Sequence, residues 1–156
     1  MNIFLESHKK FLTLLIKHQV EFLLIGGYAV IVYGYERGTS DLDLWLNPTN
    51  ENKSRFIIAL RDYGISENSL DVLSSLDFTG EAKVFNIGDK PNKIDFLTKV
   101  QGLKFDEAYP QKKLIPLNDF HIPVIKYEHL ILVKTIAGRP QDLADIDILG
   151  KINKSK

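Results

Sequence analysis

An alternation of acidic and apolar residues in the stretch Thr39-Ser-Asp-Leu-Asp-Leu-Trp-Leu46 constrains the fold of this chain most strongly. Side chains alternate between the two faces of a β-strand, so this period of two predicts a strand over 42–46. Its leucines then face the core, while Asp41 and Asp43 point together to the other side. Taken alone, the pattern also fits an exposed strand with a polar outer face.

The length of 156 residues fits one domain, which we place at 1–150, followed by a polar C-terminal tail at 151–156. The chain has 20 Lys and Arg against 20 Asp and Glu, which argues against nucleic-acid binding through bulk positive potential but leaves room for a local basic cleft. It has no cysteine, which excludes disulfides, zinc–thiolate sites, iron–sulfur clusters and thiol nucleophiles. The four histidines form no HxH or HExxH pair, so a zinc enzyme is not expected.

No stretch approaches the roughly 20 consecutive apolar residues of a membrane-spanning helix. Charges at Glu6, Lys9 and Lys10 interrupt the amino-terminal segment, which therefore lacks the apolar core of a signal peptide. We expect a cytoplasmic protein that does not act at a membrane.

The hydrophobic pattern predicts helices and strands that alternate along the chain. The predicted helices cover 3–18, 28–33, 51–63, 69–76, 103–108, 127–137 and 140–149. The predicted strands cover 22–25, 42–46, 82–87, 93–97, 112–117 and 121–125. This order predicts an α/β (α+β) domain, in which a mixed β-sheet is flanked by helices and packed by a C-terminal helix pair.

A Gly26-Gly27 pair stands between the predicted buried strand 22–25 and a short helix. The amino terminus of a helix has free backbone N–H groups that bind phosphate, and glycine lets a ligand approach closely. A lone glycine pair is also typical of a tight turn. Because the acidic strand follows soon after, the combination indicates a phosphate cradle next to a metal platform.

The carboxylates of Asp41 and Asp43 lie roughly 6–7 Å apart along a strand, and a cation between them relieves their repulsion. Hard divalent ions such as Mg²⁺ take oxygen ligands from one or two carboxylates plus substrate phosphates. A third carboxylate is expected from the neighbouring strand 93–97, where Asp95 stands between Ile and Phe. Asp95 is either part of the site or a residue on the exposed face of a hairpin.

Three basic residues are candidates for holding a triphosphate. Lys134 lies on an apolar helix face, so its charge either binds a ligand or extends to solvent. Arg37 precedes the acidic strand and either reaches a phosphate or pairs with a nearby carboxylate. Arg139 lies at the turn between the last two helices, where the alternative is a pair with Asp142 or Asp145.

Further polar and aromatic residues have two interpretations each. Thr39 and Ser40 either hydrogen-bond phosphate or order the turn. Asp142 and Asp145 lie in the first turns of the last helix, where the helix dipole favours acids, so we assign them a mainly structural role. Trp45 shares a strand face with the acidic pair and either stacks on a base or packs in the core.

Several motifs follow one another in a fixed order. They are Gly26-Gly27-Tyr28-Ala29, then Gly34, Arg37, Thr39 and Asp41-Leu42-Asp43, then Asp95, and finally Lys134, Arg139, Asp142, Leu143, Asp145 and Ile146. This order resembles the nucleotidyltransferase fold of the DNA polymerase beta superfamily. Within it, the chain is most similar to small prokaryotic branches, the AbiEii-like toxins and related nucleotidyltransferase-like proteins.

The resemblance implies a metal-dependent nucleotidyltransferase that moves an NMP group from a nucleoside triphosphate such as ATP to a hydroxyl on RNA, protein or a small molecule. Asp41 and Asp43 would hold two Mg²⁺ ions, for which Mn²⁺ is a substitute. Asp95 would complete the shell of the catalytic metal and help to deprotonate the acceptor. Gly26 and Gly27 would contact the triphosphate.

The chain departs from the superfamily in two ways. Members usually have Gly-Ser where this chain has Gly26-Gly27, so one hydroxyl is missing. The chain is also shorter than full AbiEii toxins, so an acceptor-binding surface is either missing or supplied by a second subunit of a homo-oligomer. Two other functions stay open: a nucleotide-binding or regulatory module with weak or no turnover, and a toxin–antitoxin component that binds a partner protein.

Overall fold

The computed structural model describes residues 3–39 and 41–154, which form seven α-helices and six β-strands. The helices are α1 (Glu6–Lys17), α2 (Gly26–Val32), α3 (Asn50–Tyr63), α4 (Glu67–Ser74), α5 (Phe105–Ala108), α6 (Tyr127–Ala137) and α7 (Pro140–Asn153). The strands are β1 (Phe22–Ile25), β2 (Leu42–Leu46), β3 (Val84–Ile87), β4 (Ile94–Leu97), β5 (Lys113–Leu117) and β6 (Phe120–Val124). In this part of the chain, no helix combines the length and the apolar character that crossing a bilayer requires.

The six strands form one mixed sheet in the order β3-β4-β2-β1-β6-β5. The central strands β1 and β2 are antiparallel, while β2 runs parallel to β4 and β1 runs parallel to β6. Helices flank this sheet, and α6 and α7 pack on each other as a C-terminal pair. The predicted α/β class with a mixed sheet is therefore confirmed.

The central strands are buried because their inward residues are apolar. All four residues of β1 are buried, and the three leucines of β2 are fully covered, as the alternation predicts. Trp45 is also buried, with 1 % of its surface exposed. Its indole N–H donates to the Thr98 carbonyl at 3.3 Å, and its ring packs edge-on against Phe105. Of the two interpretations of Trp45, core packing is correct, and base stacking is wrong.

Several helix boundaries differ from the sequence prediction by one to four residues, and two of these differences bear on the site and the C-terminus. Helix α2 begins at Gly26, two residues earlier than predicted, because the extended backbone of Ile25 serves as its N-cap. Helix α7 continues to Asn153, so the first residues of the predicted polar tail 151–156 are helical. The Asn153 side-chain amide donates to the Tyr33 carbonyl at 3.2 Å, which ties the last turn of α7 to the end of α2.

Candidate active site

The three predicted carboxylates line one cavity of about 430 Å³. Strands β2 and β4 run parallel, with Asp43 directly opposite Asp95, and neighbouring strands lie about 4.8 Å apart. Asp41 stands just before β2, and all three side chains are partly exposed. Asp95 therefore joins the acidic pair at the same edge of the sheet, where its only described ion pair is with Lys93 at 3.4 Å.

The site opposes the ionisation of Asp43. Burial raises the pKa of this carboxyl to about 7, and the charges of Asp95 and Asp41 add to the effect. The positive charges of Lys134 and Arg139 lower the pKa only in part. At neutral pH, Asp43 is therefore poised between binding a proton and binding a cation.

The chemistry of this donor set fits a hard divalent cation, because every donor is a carboxylate oxygen and Asp43 favours a bound positive charge. Within residues 3–39 and 41–154, no three Asp, Glu, His or Cys side chains are arranged closely enough to hold a metal ion as they stand. The fit therefore rests on Asp43 and Asp95, which face each other in register, with substrate phosphates as further ligands.

The glycine pair is required by close packing. Gly26 has a φ of +70°, and a Cβ there would collide with the Asp43 carboxylate. A Cβ at Gly27 would lie 2.5 Å from the Thr39 hydroxyl oxygen. Thr39 therefore leaves no room for a side chain at position 27 as the two are placed.

A second cavity of about 340 Å³ adjoins the first along Asp41 and Asp43. It brings together every predicted nucleotide-binding residue that the structure describes, namely Gly26, Gly27, Arg37, Thr39, Lys134 and Arg139. Ser40, the seventh predicted residue, lies outside the described residues. Residues from four separate parts of the chain therefore converge on one cavity.

Lys134 is buried between two carboxylates. Its ammonium donates to Asp145 at 2.9 Å and to Asp142 at 3.2 Å, and only 6 % of the residue is exposed. Extension of Lys134 to solvent is therefore wrong. Arg37 donates twice to Asp145, through Nε and Nη2 at 2.9 Å each, and Arg139 Nε donates to Asp142 at 2.6 Å. Both arginines pair with carboxylates, and both still line the second cavity.

Asp142 and Asp145 fix the positions of these three cations. Burial raises the pKa of both carboxyls, but hydrogen bonds from Arg139 and Lys134 to Asp142, and from Lys134, Arg37 and Gln141 to Asp145, bring the pKa below its usual value. The structural role assigned to these acids therefore has a second aspect, since they orient the basic wall of the cavity. In the sequence, the spacing of three residues indicates that Asp142 and Asp145 lie on the same side of one helix. Nothing in the sequence indicates that Gln141 belongs to the same group.

The chain is similar to proteins of a described family and of a known fold. Residues 5–156 match the model of a family described as "Nucleotidyl transferase of unknown function (DUF2204)". No curated protein matches the sequence. Among solved structures, the lincomycin-bound crystal structure of the lincosamide antibiotic adenylyltransferase LnuA superposes with a TM-score of 0.59 at 18% sequence identity. The alignment covers 98% of this chain and 100% of that one, and at such identity it shows a shared fold.

Proposed function

Because this chain belongs to the family described as nucleotidyl transferases of unknown function, we propose that it moves an NMP group from a nucleoside triphosphate to a hydroxyl group of a small molecule. The observation that supports this most directly is the junction of the two cavities. The glycine pair and three cations line one cavity, and all three carboxylates line the other. The two share Gly26, Asp41, Asp43, Lys134, Arg139 and Asp142.

The phosphate side binds and orients the triphosphate. The backbone of Gly26 and Gly27, the Thr39 hydroxyl and the wall formed by Lys134 and Arg139 face the same cavity. N–H and hydroxyl donors that are fixed before the reaction lower the barrier, because they need no reorganisation as charge develops on the phosphates. The cations stay paired with Asp142 and Asp145, so they hold their positions whether or not a nucleotide is bound.

Asp41, Asp43 and Asp95 would hold the divalent cations, Mg²⁺ or Mn²⁺. When bound, such ions supply positive charge for the acceptor oxygen and for the leaving pyrophosphate. The crowding of the three carboxylates supports this assignment, since the charges of Asp95 and Asp41 add to burial in raising the pKa of Asp43, and a bound cation relieves their repulsion. Asp95 or water accepts the proton of the acceptor hydroxyl.

A small molecule is the acceptor that we favour over RNA or protein. The structural neighbour LnuA is by its description an adenylyltransferase of a lincosamide antibiotic, and its alignment covers 98% of this chain. A role as a toxin–antitoxin component that acts on a protein partner rests on the sequence resemblance alone. The acceptor class is therefore the main point that the experiment must decide.

The test uses each NTP labelled at the α-phosphate, with Mg²⁺ or Mn²⁺. Three acceptor pools are offered separately: small molecules including lincomycin, protein-free RNA, and a nucleotide-free protein fraction. We expect label in the small-molecule pool, and its loss in Asp43→Ala. Label on RNA or protein would show that the acceptor belongs to that class and not to the small molecules. Nucleotide binding without transfer to any pool would instead support a binding module, and absence of metal-dependent nucleotide binding would refute both functions.

A further inference from the structure

The two cavities that meet at Asp41 and Asp43 have different walls. The phosphate side is polar, with Arg37, Thr39 and Gln141 among its lining residues. The other side shares Lys134, Arg139 and Asp142 with it but adds Asp95, Lys99 and an apolar wall, which is formed by Ile25, Leu97, Val100, Ile125, Leu130, Val133 and Ala137. We call this second space the apolar cavity. Its volume of about 430 Å³ lies within the usual range of small-molecule sites.

The in-line geometry of phosphoryl transfer assigns a different role to each of the two cavities. The attacking and leaving oxygens lie roughly in line on opposite sides of the phosphorus. If the pyrophosphate leaves on the side of Arg37 and Thr39, the acceptor hydroxyl must approach from the apolar cavity. Asp95 lines the apolar cavity and not the phosphate side, so it is the carboxylate on the path of the attacking hydroxyl.

We propose that the acceptor is a neutral small molecule whose apolar body lies between the end of β4 and helix α6, with its hydroxyl directed at Asp95. This rests on the proposed function. In the reaction, the acceptor oxygen forms a bond to the α-phosphorus, and the bond from that phosphorus to the bridging oxygen of the pyrophosphate breaks. The hydroxyl proton passes to Asp95 or to water, and pyrophosphate leaves.

The wall beside Val100 is built before any ligand binds. Val100 and Leu103 pair across a tight turn, and a Cβ at Gly102 would collide with Ile136 of α6. Gly102 has a φ of +90°, so glycine also meets the backbone requirement of this turn. The turn is therefore packed directly under α6, and the apolar cavity has a preformed side.

The same lining disfavours RNA as the acceptor. Four aspartates and three basic residues line the apolar cavity, so its lining has no excess of basic groups for the many phosphates of a nucleic acid. A polyanion gains little from such a surface, because affinity for nucleic acid depends on basic groups that neutralise phosphates. A larger cavity of about 620 Å³, lined by Trp45 and Phe105, lies beyond Val100, but none of the three carboxylates lines it.

The test is a titration followed by NMR, with methyl and amide signals of the full chain. Tripolyphosphate probes the phosphate side, and benzyl alcohol probes the apolar cavity as a neutral ring that ends in a hydroxyl. We expect tripolyphosphate to shift the amides of Gly26 and Gly27. Benzyl alcohol should shift the methyls of Leu97, Val100 and Val133, and both probes should bind together.

Val133→Trp fills the cavity and should weaken benzyl alcohol at least about tenfold, whereas tripolyphosphate should still bind. Leu132→Trp, on the exposed side of the same helix, is the matched control and should weaken neither. Val133→Ala enlarges the cavity and should favour 2-naphthylmethanol relative to benzyl alcohol, which keeps the test valid if Val133→Trp does not fold.

Three results would overturn the proposal: no methyl shifts up to saturating benzyl alcohol, competition between the two probes, or equal shifts of these methyls by a short RNA oligonucleotide. Failure of the proposed function gives a different result, since tripolyphosphate would then leave Gly26 and Gly27 unshifted.

Discussion

Two groups of aspartates lie close together in this molecule, and they differ in how their charge is balanced. Asp142 and Asp145 on α7 are almost fully buried, and three cations hold their pKa below the usual value. Asp43 lies between Asp41 and Asp95, and its pKa is raised to about 7 despite the nearby Lys134 and Arg139. The first group is satisfied within the protein, whereas the second still favours an added positive charge.

The difference separates acids with a structural role from the acids that we propose to be functional. A buried carboxylate that is matched by cations and hydrogen bonds stabilises an arrangement and needs no ligand. A carboxylate whose pKa is raised by burial and like charges, in a cavity, is a candidate functional group. The basic residues of the cavity are bonded to the first group of acids and line the same cavity as the second, so they connect the two groups.

The largest expected effect is on stability, from Asp145→Ala. This change leaves the buried Lys134 with one carboxylate and removes the bidentate partner of Arg37, so unfolding free energy should fall by about 3–5 kcal/mol. Urea unfolding measures it. The control is Asp147→Ala on the same helix, whose pair with Lys151 is exposed and should be worth less than about 1 kcal/mol. Equal losses in both variants would contradict a structural role of the buried group.

The next effect is on activity, from Asp43→Asn. Removing one carboxylate from the site should lower NMP transfer at least about a hundredfold, because the charge that attracts the metal is reduced. Stability should stay the same or rise, since the repulsion by Asp41 and Asp95 is relieved. Transfer assays and thermal unfolding test both parts, with exposed Asp89→Asn as the control. A large loss of stability would instead place Asp43 with the structural acids.

A smaller effect is expected from Gly26→Ala. The left-handed backbone alone should cost about 1–2 kcal/mol, and collision with Asp43 should in addition lower transfer. Gly64→Ala is the matched control, because Gly64 also has a positive φ but faces open space at the end of α3. It should lose stability and keep its activity. Full activity in Gly26→Ala would contradict the close packing of the glycine pair on the acidic group.

The smallest effect is a pH dependence. The folded pKa of Asp43 lies above its ordinary value of 3.8, so the folded state binds more protons than the unfolded state between these two values. The contribution of Asp43 to stability should therefore decrease as pH rises from about 4 to about 7 and level off above. Melting temperatures across this range measure it, and Asp43→Asn should remove the decrease. An unchanged pH profile in that variant would contradict the raised pKa.

Most of the fold was predictable because its signals are local. The apolar run 22–25, the alternation over 42–46 and the glycine-bounded helix 51–63 all correspond to observed elements. The predictions failed where tertiary contacts extend an element, as in α7, whose last turn is held by the contact from Asn153 to Tyr33. The sequence could also not decide whether Trp45 stacks on a base or packs in the core. Only its contacts with Phe105 and with the Thr98 carbonyl show that it packs in the core.

The sequence by itself determined that Asp41 and Asp43 share a strand face, because side-chain alternation depends only on neighbouring residues. It also determined which glycine, hydroxyl and basic residues were available to bind phosphate. Only the tertiary structure brought Asp95 into register with Asp43 and Lys134 between Asp142 and Asp145. These are contacts between distant segments, and the pKa of each carboxyl depends on burial and on charges that packing alone positions.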